Sequence, residues 1–210
     1  PVINKKKPGL LANLQQIESL LLAGITVGSA KLKNPLLCSG ANLSYTKSLF
    51  KKLQPYKNNY NTLSGDDMFF LEKTNRNEDC YVEINANSVV ETEGAKSFTE
   101  MLSRSVRWVS KSSKLKMSLS TVFGAIVLII NCSILFMTVL MILNNDSIVF
   151  FIKLCAIKTI VDVLFLVLLA NRYNRYQTII YFPIMVVFYP FYLFLVYLST
   201  VFSSPVWKGR

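Results

Sequence analysis

Three long apolar stretches, 118–143, 148–170 and 178–202, constrain this chain more than any other feature. A helix of roughly 20 apolar residues crosses the hydrocarbon core of a bilayer, and each stretch is long enough. The first carries no charge. The second carries Lys153, Lys158 and Asp162. Each charge would cost about 2.5–3.5 kcal/mol at a helix centre, so they are expected to snorkel, pair or face protein. Lys158 and Asp162 stand one turn apart, which suits a pair. An interfacial position for this segment stays open. The third stretch holds Pro183 and Pro190 among many aromatics and is expected to kink. A hydrophobic fraction of 52% and a mean hydropathy of +0.38 agree with a membrane protein and exclude a disordered chain. The reading is a soluble region, 1–117, joined to a membrane region, 118–210.

The composition removes several chemistries. There is no histidine, so imidazole acid–base catalysis, His-based triads and His-ligated zinc are excluded for this chain. Cys38, Cys80, Cys132 and Cys155 are not spaced as metal ligands, and the last two lie in apolar stretches. The net charge is +11, spread without a dense stripe. That fits a basic face beside anionic membrane lipid, and no nucleic-acid partner is expected. No glycine-rich nucleotide loop of the common kinds is present.

Within 1–117 the pattern alternates. Leu10, Leu14, Ile17, Leu21 and Ile25 recur at helical spacing, with Asn13, Gln16 and Ser19 between them. This predicts an amphipathic helix over 10–27 that covers a sheet. Leu36–Cys38, 80–84 and 88–92 read as strands. Residues 46–54 and 97–109 read as helices, the latter capped by Ser97 or Thr99. The resulting expectation is an α/β soluble region with too few strands for a complete sheet. Such a fragment is expected not to fold stably alone.

Three short motifs could carry chemistry. Asp66 and Asp67 follow Ser64-Gly65 and open a helix, where carboxylates can cap the helix or serve as a base. Arg104 and Arg107 share a helix face, with Trp108 next to them. Arginine forks suit phosphate oxygens and a flat indole suits sugar faces, although a basic interfacial helix with a Trp anchor has the same composition. Gly40-Ala41-Asn42 could form a close-approach backbone segment with one amide reader, or simply a strand-end turn.

Gly-Ala-Asn, then Ser-Gly-Asp-Asp, then Val90-Glu91-Thr92-Glu93, then Arg104-x-x-Arg107-Trp108, then membrane helices: in this order the chain resembles the membrane-bound family 2 glycosyltransferases. That broad group includes hyaluronan, chitin and cellulose synthases and ceramide glucosyltransferase-like enzymes. The closing Trp207-Lys208-Gly209-Arg210 is similar to the tail of bacterial members. The resemblance implies the later part of a GT-A-like domain followed by about three transmembrane helices. It implies an inverting sugar transfer from a nucleotide-sugar to a lipid or polysaccharide acceptor at the cytoplasmic face of a cell membrane, a bacterial inner membrane. Asp67 would be the general base and Asp66 its neighbour on the acceptor side. Arg104 and Arg107 would lie near the donor diphosphate. Trp108, Gly40, Ala41 and Asn42 would line the acceptor side. Arg104 stands where many members have Gln. A divalent cation, Mg²⁺ or Mn²⁺, would be held mainly by residues upstream of Pro1. The donor-binding Asp and the Asp-x-Asp motif would lie there too, so this chain would be inactive by itself.

Two other readings compete. A non-catalytic membrane interaction protein with a basic cytoplasmic domain explains the charge and the apolar segments. A transporter subunit would use Lys153, Lys158 and Asp162. The charge pattern favours three crossings, with Arg172 and Arg175 on the same side as the soluble region.

Overall fold

The structure, a computed structural model, describes residues 1–55, 57, 66–74, 81–83, 85–112, 119–143 and 148–202. Ser64-Gly65, Cys80, Ile84, the basic residues Lys114 and Lys116, the Asn144–Ser147 connection and the Trp207–Arg210 tail lie outside the described residues.

In chain order the elements are β1 (Val2–Asn4), α1 (Leu10–Lys31), a 3₁₀ turn at Gly40–Asn42, α2 (Lys47–Leu53) and α3 (Asp66–Lys73). A 3₁₀ turn at Ala86–Ser88, β2 (Val90–Thr92) and α4 (Phe98–Ser112) follow. The apolar half is α5 (Leu119–Leu143), α6 (Ile148–Arg172), a 3₁₀ segment at Tyr176–Tyr181 and α7 (Phe182–Phe202). Among the described residues the one sheet has two strands, β1 and β2, paired in parallel with Val2 opposite Val90 and Asn4 opposite Thr92.

This overturns the α/β, GT-A-like expectation. The chain is mostly helical. Leu36–Cys38 form no strand: the Leu36 N–H is satisfied by the Ser29 hydroxyl, 3.1 Å away, at the end of α1. Residues 81–83 are irregular, and only 90–92 of the 88–92 stretch pairs. A backbone donor that finds a side-chain acceptor nearby has no need of a neighbouring strand.

The helix α1 does cover the sheet, but with its polar face. The Gln16 amide donates to the Asn4 carbonyl (2.8 Å), the Asn4 amide donates to the Gln15 carbonyl (3.1 Å), and the Asn4 N–H donates to the Ser19 hydroxyl (3.1 Å). Strands of three residues offer little apolar platform and leave backbone groups needing partners, which these side chains supply. The apolar face of α1 turns instead toward α6 and α7. Leu14, Ile17, Leu20 and Ala23 join Ile3, Leu166, Leu169, Tyr173, Phe182 and Met185 in one core. Leu10 and Ile25, expected on the buried stripe, are exposed. At Gly24 the helices approach so closely that a Cβ would lie 2.6 Å from Leu169 Cδ1 and from Phe165 Cζ.

Three described helical segments are long and apolar enough to cross a membrane: Leu10–Lys31, Thr121–Ile142 and Tyr176–Phe202. They differ in surroundings. Half of the α1 window is buried inside the protein, against 6% of the α5 window. With Asn13, Gln15 and Gln16 buried as well, α1 reads as a layer between the sheet and the apolar helices α6 and α7. By contrast, α5 exposes Phe123, Ile129, Phe136 and Ile142, a surface suited to lipid. One side of α7 is buried through Met185, Tyr192 and Val196, while Val187, Phe191 and Phe202 on it are exposed. Pro190 sits inside this helix. The expected segment 148–170 is a helix of spanning length, Ile148–Arg172, but it is not among these three apolar segments. Two of its charges meet: Lys158 Nζ donates to Asp162 Oδ2 at 2.6 Å. Together the apolar helices suit a multi-pass membrane protein.

Candidate active site

The site residues on α4 are placed by the way that helix starts. The Ser97 hydroxyl accepts the Glu100 N–H (3.2 Å), and the Glu100 carboxylate accepts the Lys96 N–H (2.8 Å). This reciprocal cap satisfies donors that a helix start leaves open. The Lys96 N–H bond, and then Arg104, hold the Glu100 carboxyl below its ordinary value. One turn on, Arg104 Nη2 donates to Glu100 Oε1 (2.6 Å) and its Nη1 donates to the Glu93 carbonyl (3.0 Å). Arg104 is thereby tied to the segment between β2 and α4. Arg107 follows on the same face and is half-buried. Burial, and then the nearby Arg104 charge, lowers its guanidinium below the ordinary value. Trp108 is 43% exposed.

What fixes the height of α4 comes from α1. The Gln15 amide accepts the Ala95 N–H (2.6 Å) and donates to the Ala95 carbonyl (3.0 Å), eighty residues away in sequence. On the other side, Tyr192 of α7 shares a 2.6 Å hydrogen bond with Ser105 and packs with Met101 and Val106.

Asp67 sits at the start of α3 and is half-buried, whereas Asp66 is exposed. Its carboxylate accepts the Gly40 N–H at Oδ2 (3.0 Å) and the Met68 N–H at Oδ1 (2.9 Å). The Cys38 thiol donates to its carbonyl (3.0 Å). Asn42 is less available than the sequence suggests. Its amide donates to the Pro1 carbonyl (3.1 Å) and the Ser88 carbonyl (3.0 Å), so it ties the 3₁₀ turn to the edge of the sheet.

A cavity of about 660 Å³ lies between these elements. Ala41 and Asn42 line it from the turn, Arg104, Arg107 and Trp108 from α4, and Tyr192 from α7. Asp66, Asp67 and Gly40 do not line it, although Ser39 and Ala41 on either side of Gly40 do. The structure thus brings Asp67 to the Gly40 turn, and brings that turn to the arginines and Trp108.

The family model for glycosyl transferase family 21 matches residues 25–210. The chain belongs to that family. Comparison with curated proteins and with solved structures found no match. As a family 21 member it is a glycosyltransferase, which supports the broad class that the resemblance implied but not the family 2 assignment specifically. Its substrates are therefore, in general terms, a sugar donor and an acceptor.

Two residues of this family 21 protein escaped the sequence reading. Gln15 was one polar residue among several, with nothing local to show a partner at Ala95. Glu18 left a signal: α1 carries Glu18 and the terminal Lys31 as its sole charges. An isolated acid within an apolar helix is costly and asks for a reason. Glu18 lies before the matched span and lines the same cavity.

Proposed function

We propose that this glycosyltransferase moves a sugar from a nucleotide-sugar to a lipid or glycan acceptor at the cytoplasmic face of a membrane, with inversion, and that α5, α6 and α7 cross that membrane. The observation that carries the reading is the shared cavity. It joins two guanidinium groups, an indole and the Asp67-linked turn to the flank of α7. Leu193 and Val196 on that flank, with Leu22 of α1, add apolar lining to it. A cavity with both polar and apolar lining suits an amphipathic acceptor better than a free sugar.

In the proposed reaction the acceptor hydroxyl attacks the anomeric carbon as the bond to the diphosphate breaks. Asp67, which stands behind the Gly40 turn at the margin of the cavity rather than in its lining, takes the hydroxyl proton once the acceptor displaces that margin. Each Asp67 oxygen already accepts one backbone N–H, which fixes the carboxylate and leaves room for a further donor. Arg107 stabilises the charge growing on the leaving diphosphate, and Arg104 holds the neighbouring helix turn in place. Trp108 offers a face to the sugar. The resemblance implies a divalent cation for the diphosphate. Among the described residues no three His, Cys, Asp or Glu side chains converge on a metal position, so no step is assigned to an ion here.

Asp67→Asn in the full-length enzyme keeps the shape and removes the proton acceptor. Turnover per folded molecule should fall by roughly 10²–10⁴-fold with nucleotide affinity nearly unchanged. Near-normal turnover would remove Asp67 as the base.

A further inference from the structure

Glu91 and Glu93 stand at alternate positions in and just after β2, and each is paired with a different part of the molecule. Glu93 meets Lys5 (2.9 Å) and Lys7 of the N-terminal segment. Glu91 meets Arg175, which belongs to the connection between α6 and α7. In the parallel pairing of the two strands, Ile3 stands opposite Glu91. Paired residues share one face of a sheet, so Glu91 leaves β2 on the side where Ile3 joins Tyr173 and Phe182 in the core.

Arg175 is firmly mounted. At the end of α6, Asn174 adopts the left-handed conformation (φ 55°). The Asn174 N–H donates to the Asn171 carbonyl (3.4 Å) and the Arg175 N–H donates to the Ala170 carbonyl (2.8 Å), the two bonds of a Schellman close. The Arg175 carbonyl then accepts the Thr178 N–H (3.1 Å) as the 3₁₀ segment begins. The guanidinium is thus carried on the end of a helix proposed to cross the membrane, and its side chain is only 11% exposed. Its Nε is buried and meets no acceptor among the described residues. A partly buried ion pair with an unsatisfied donor gains little net stability, so stability alone is a weak reason for it.

The strand that Arg175 grips runs directly into the candidate active site. Just beyond β2, the Glu93 carbonyl accepts Arg104 Nη1 (3.0 Å). Arg104 in turn lies near enough to Arg107 for their charges to interact. Taking the proposed sugar transfer as the reaction, with Arg107 at the leaving diphosphate, we propose that Arg175 is a positioning residue: through Glu91 it fixes β2 and the Glu93 carbonyl, and through that carbonyl Arg104 and the turn of α4 that presents Arg107. The connection between α6 and α7 thereby sets the alignment of the donor-side arginines. In this role Arg175 touches neither donor nor acceptor.

The test uses full-length enzyme in vesicles, a panel of nucleotide-sugars, and a total lipid extract as acceptor. Arg175→Gln and Glu91→Gln should each lower kcat by about tenfold or more, because a small misplacement of a group that acts in the transition state is costly. The KM for the acceptor should stay unchanged. The double variant should be no slower than the slower single variant, since the two residues form one contact. Arg175→Lys keeps the charge and should recover part of the rate. A second measurement needs no turnover: nitroxide labels at Ser103→Cys on α4 and Ile180→Cys beside the connection, both exposed positions, in a background without other reactive cysteines. Their distance distribution should broaden in Arg175→Gln. An unchanged distribution would overturn the proposal whatever the rate. So would additive losses in the double variant, a raised acceptor KM at unchanged kcat, or a lowered thermal midpoint with unchanged turnover per folded molecule. A parent that transfers no sugar would overturn the reaction itself, and the label distances would still judge the contact.

Discussion

The bridge from Gln15 to Ala95 offers the sharpest energetic test of the fold, because one side chain holds two layers. Gln15 is 5% exposed and Ala95 8%. Its amide bonds both the N–H and the C=O of Ala95, and Nε2 also reaches the Leu11 carbonyl at 3.3 Å. Gln15→Leu keeps the volume and removes all three bonds. The Ala95 N–H and C=O are then buried without partners, at about 1–3 kcal/mol each. Burying leucine in place of the amide returns about 1.5–2 kcal/mol. The net loss should be about 2–3 kcal/mol, or roughly 4–12 °C in the thermal midpoint for a chain of this size. Gln15→Glu should lose more, because a carboxylate oxygen would face the Ala95 and Leu11 carbonyls where a donor stood. The assay is thermal unfolding of detergent-solubilised protein followed by tryptophan fluorescence, beside activity per folded molecule. Activity should also fall, since Ala95 sets the start of the helix that carries Arg104 and Arg107. A midpoint for Gln15→Leu within the error of the parent would refute the bridge, and a Gln15→Glu variant more stable than Gln15→Leu would refute its assigned geometry.

Other outcomes follow from named contacts. Gly24→Val places branched carbon where Leu169 and Phe165 already stand, and should cost about 1–3 kcal/mol, with Leu169→Ala in the same chain recovering part of it; additive losses would argue against the contact. Glu18 has its folded value raised from 4.5 to about 7, so the folded state binds more protons than the unfolded state between those values. Stability should therefore fall by about 3 kcal/mol as pH rises through that window and level off above it, and the slope should vanish in Glu18→Gln. Glu93, held down to about 2 by Lys7 and Lys5, acts in the opposite sense below about 4.5, so the comparison belongs at pH 5–7.5. Arg107→Lys keeps the charge but loses the planar fork, and should weaken nucleotide affinity and turnover together; an effect on thermal midpoint alone would mark Arg107 as structural.

The sequence was most readable where function and local structure depend on near neighbours. Ser97, one of the two caps expected, announced the start of α4, and Arg104, Arg107 and Trp108, close in sequence, line one cavity. The uncharged run at 118–143 announced α5. Strand pairing was least readable. A strand needs a partner far along the chain, and Leu36 found the Ser29 hydroxyl first. The buried face of α1 was misjudged for the same reason: Gln15 and Gln16 look solvent-facing until β1 and Ala95 are placed against them. Glu18 could be noticed in the sequence, but the cavity it lines is assembled from segments far apart in the chain, β1, α1, α4 and α7 among them.

The core that joins Leu14, Ile17 and Leu20 to Leu166, Tyr173 and Phe182 also has a consequence in time. The ribosome releases α1 long before α6 and α7 exist. At about 5–20 residues per second, the interval is on the order of ten seconds. Throughout it, the apolar face of α1 has no permanent cover, and β1 waits for β2. The layer formed by β1 and α1 therefore cannot finish packing before α6 and α7 are made, for a reason beyond its small sheet. Delayed arrival of α6 and α7 would leave the apolar face of α1 uncovered, which makes newly made chains the vulnerable stage in this protein's life.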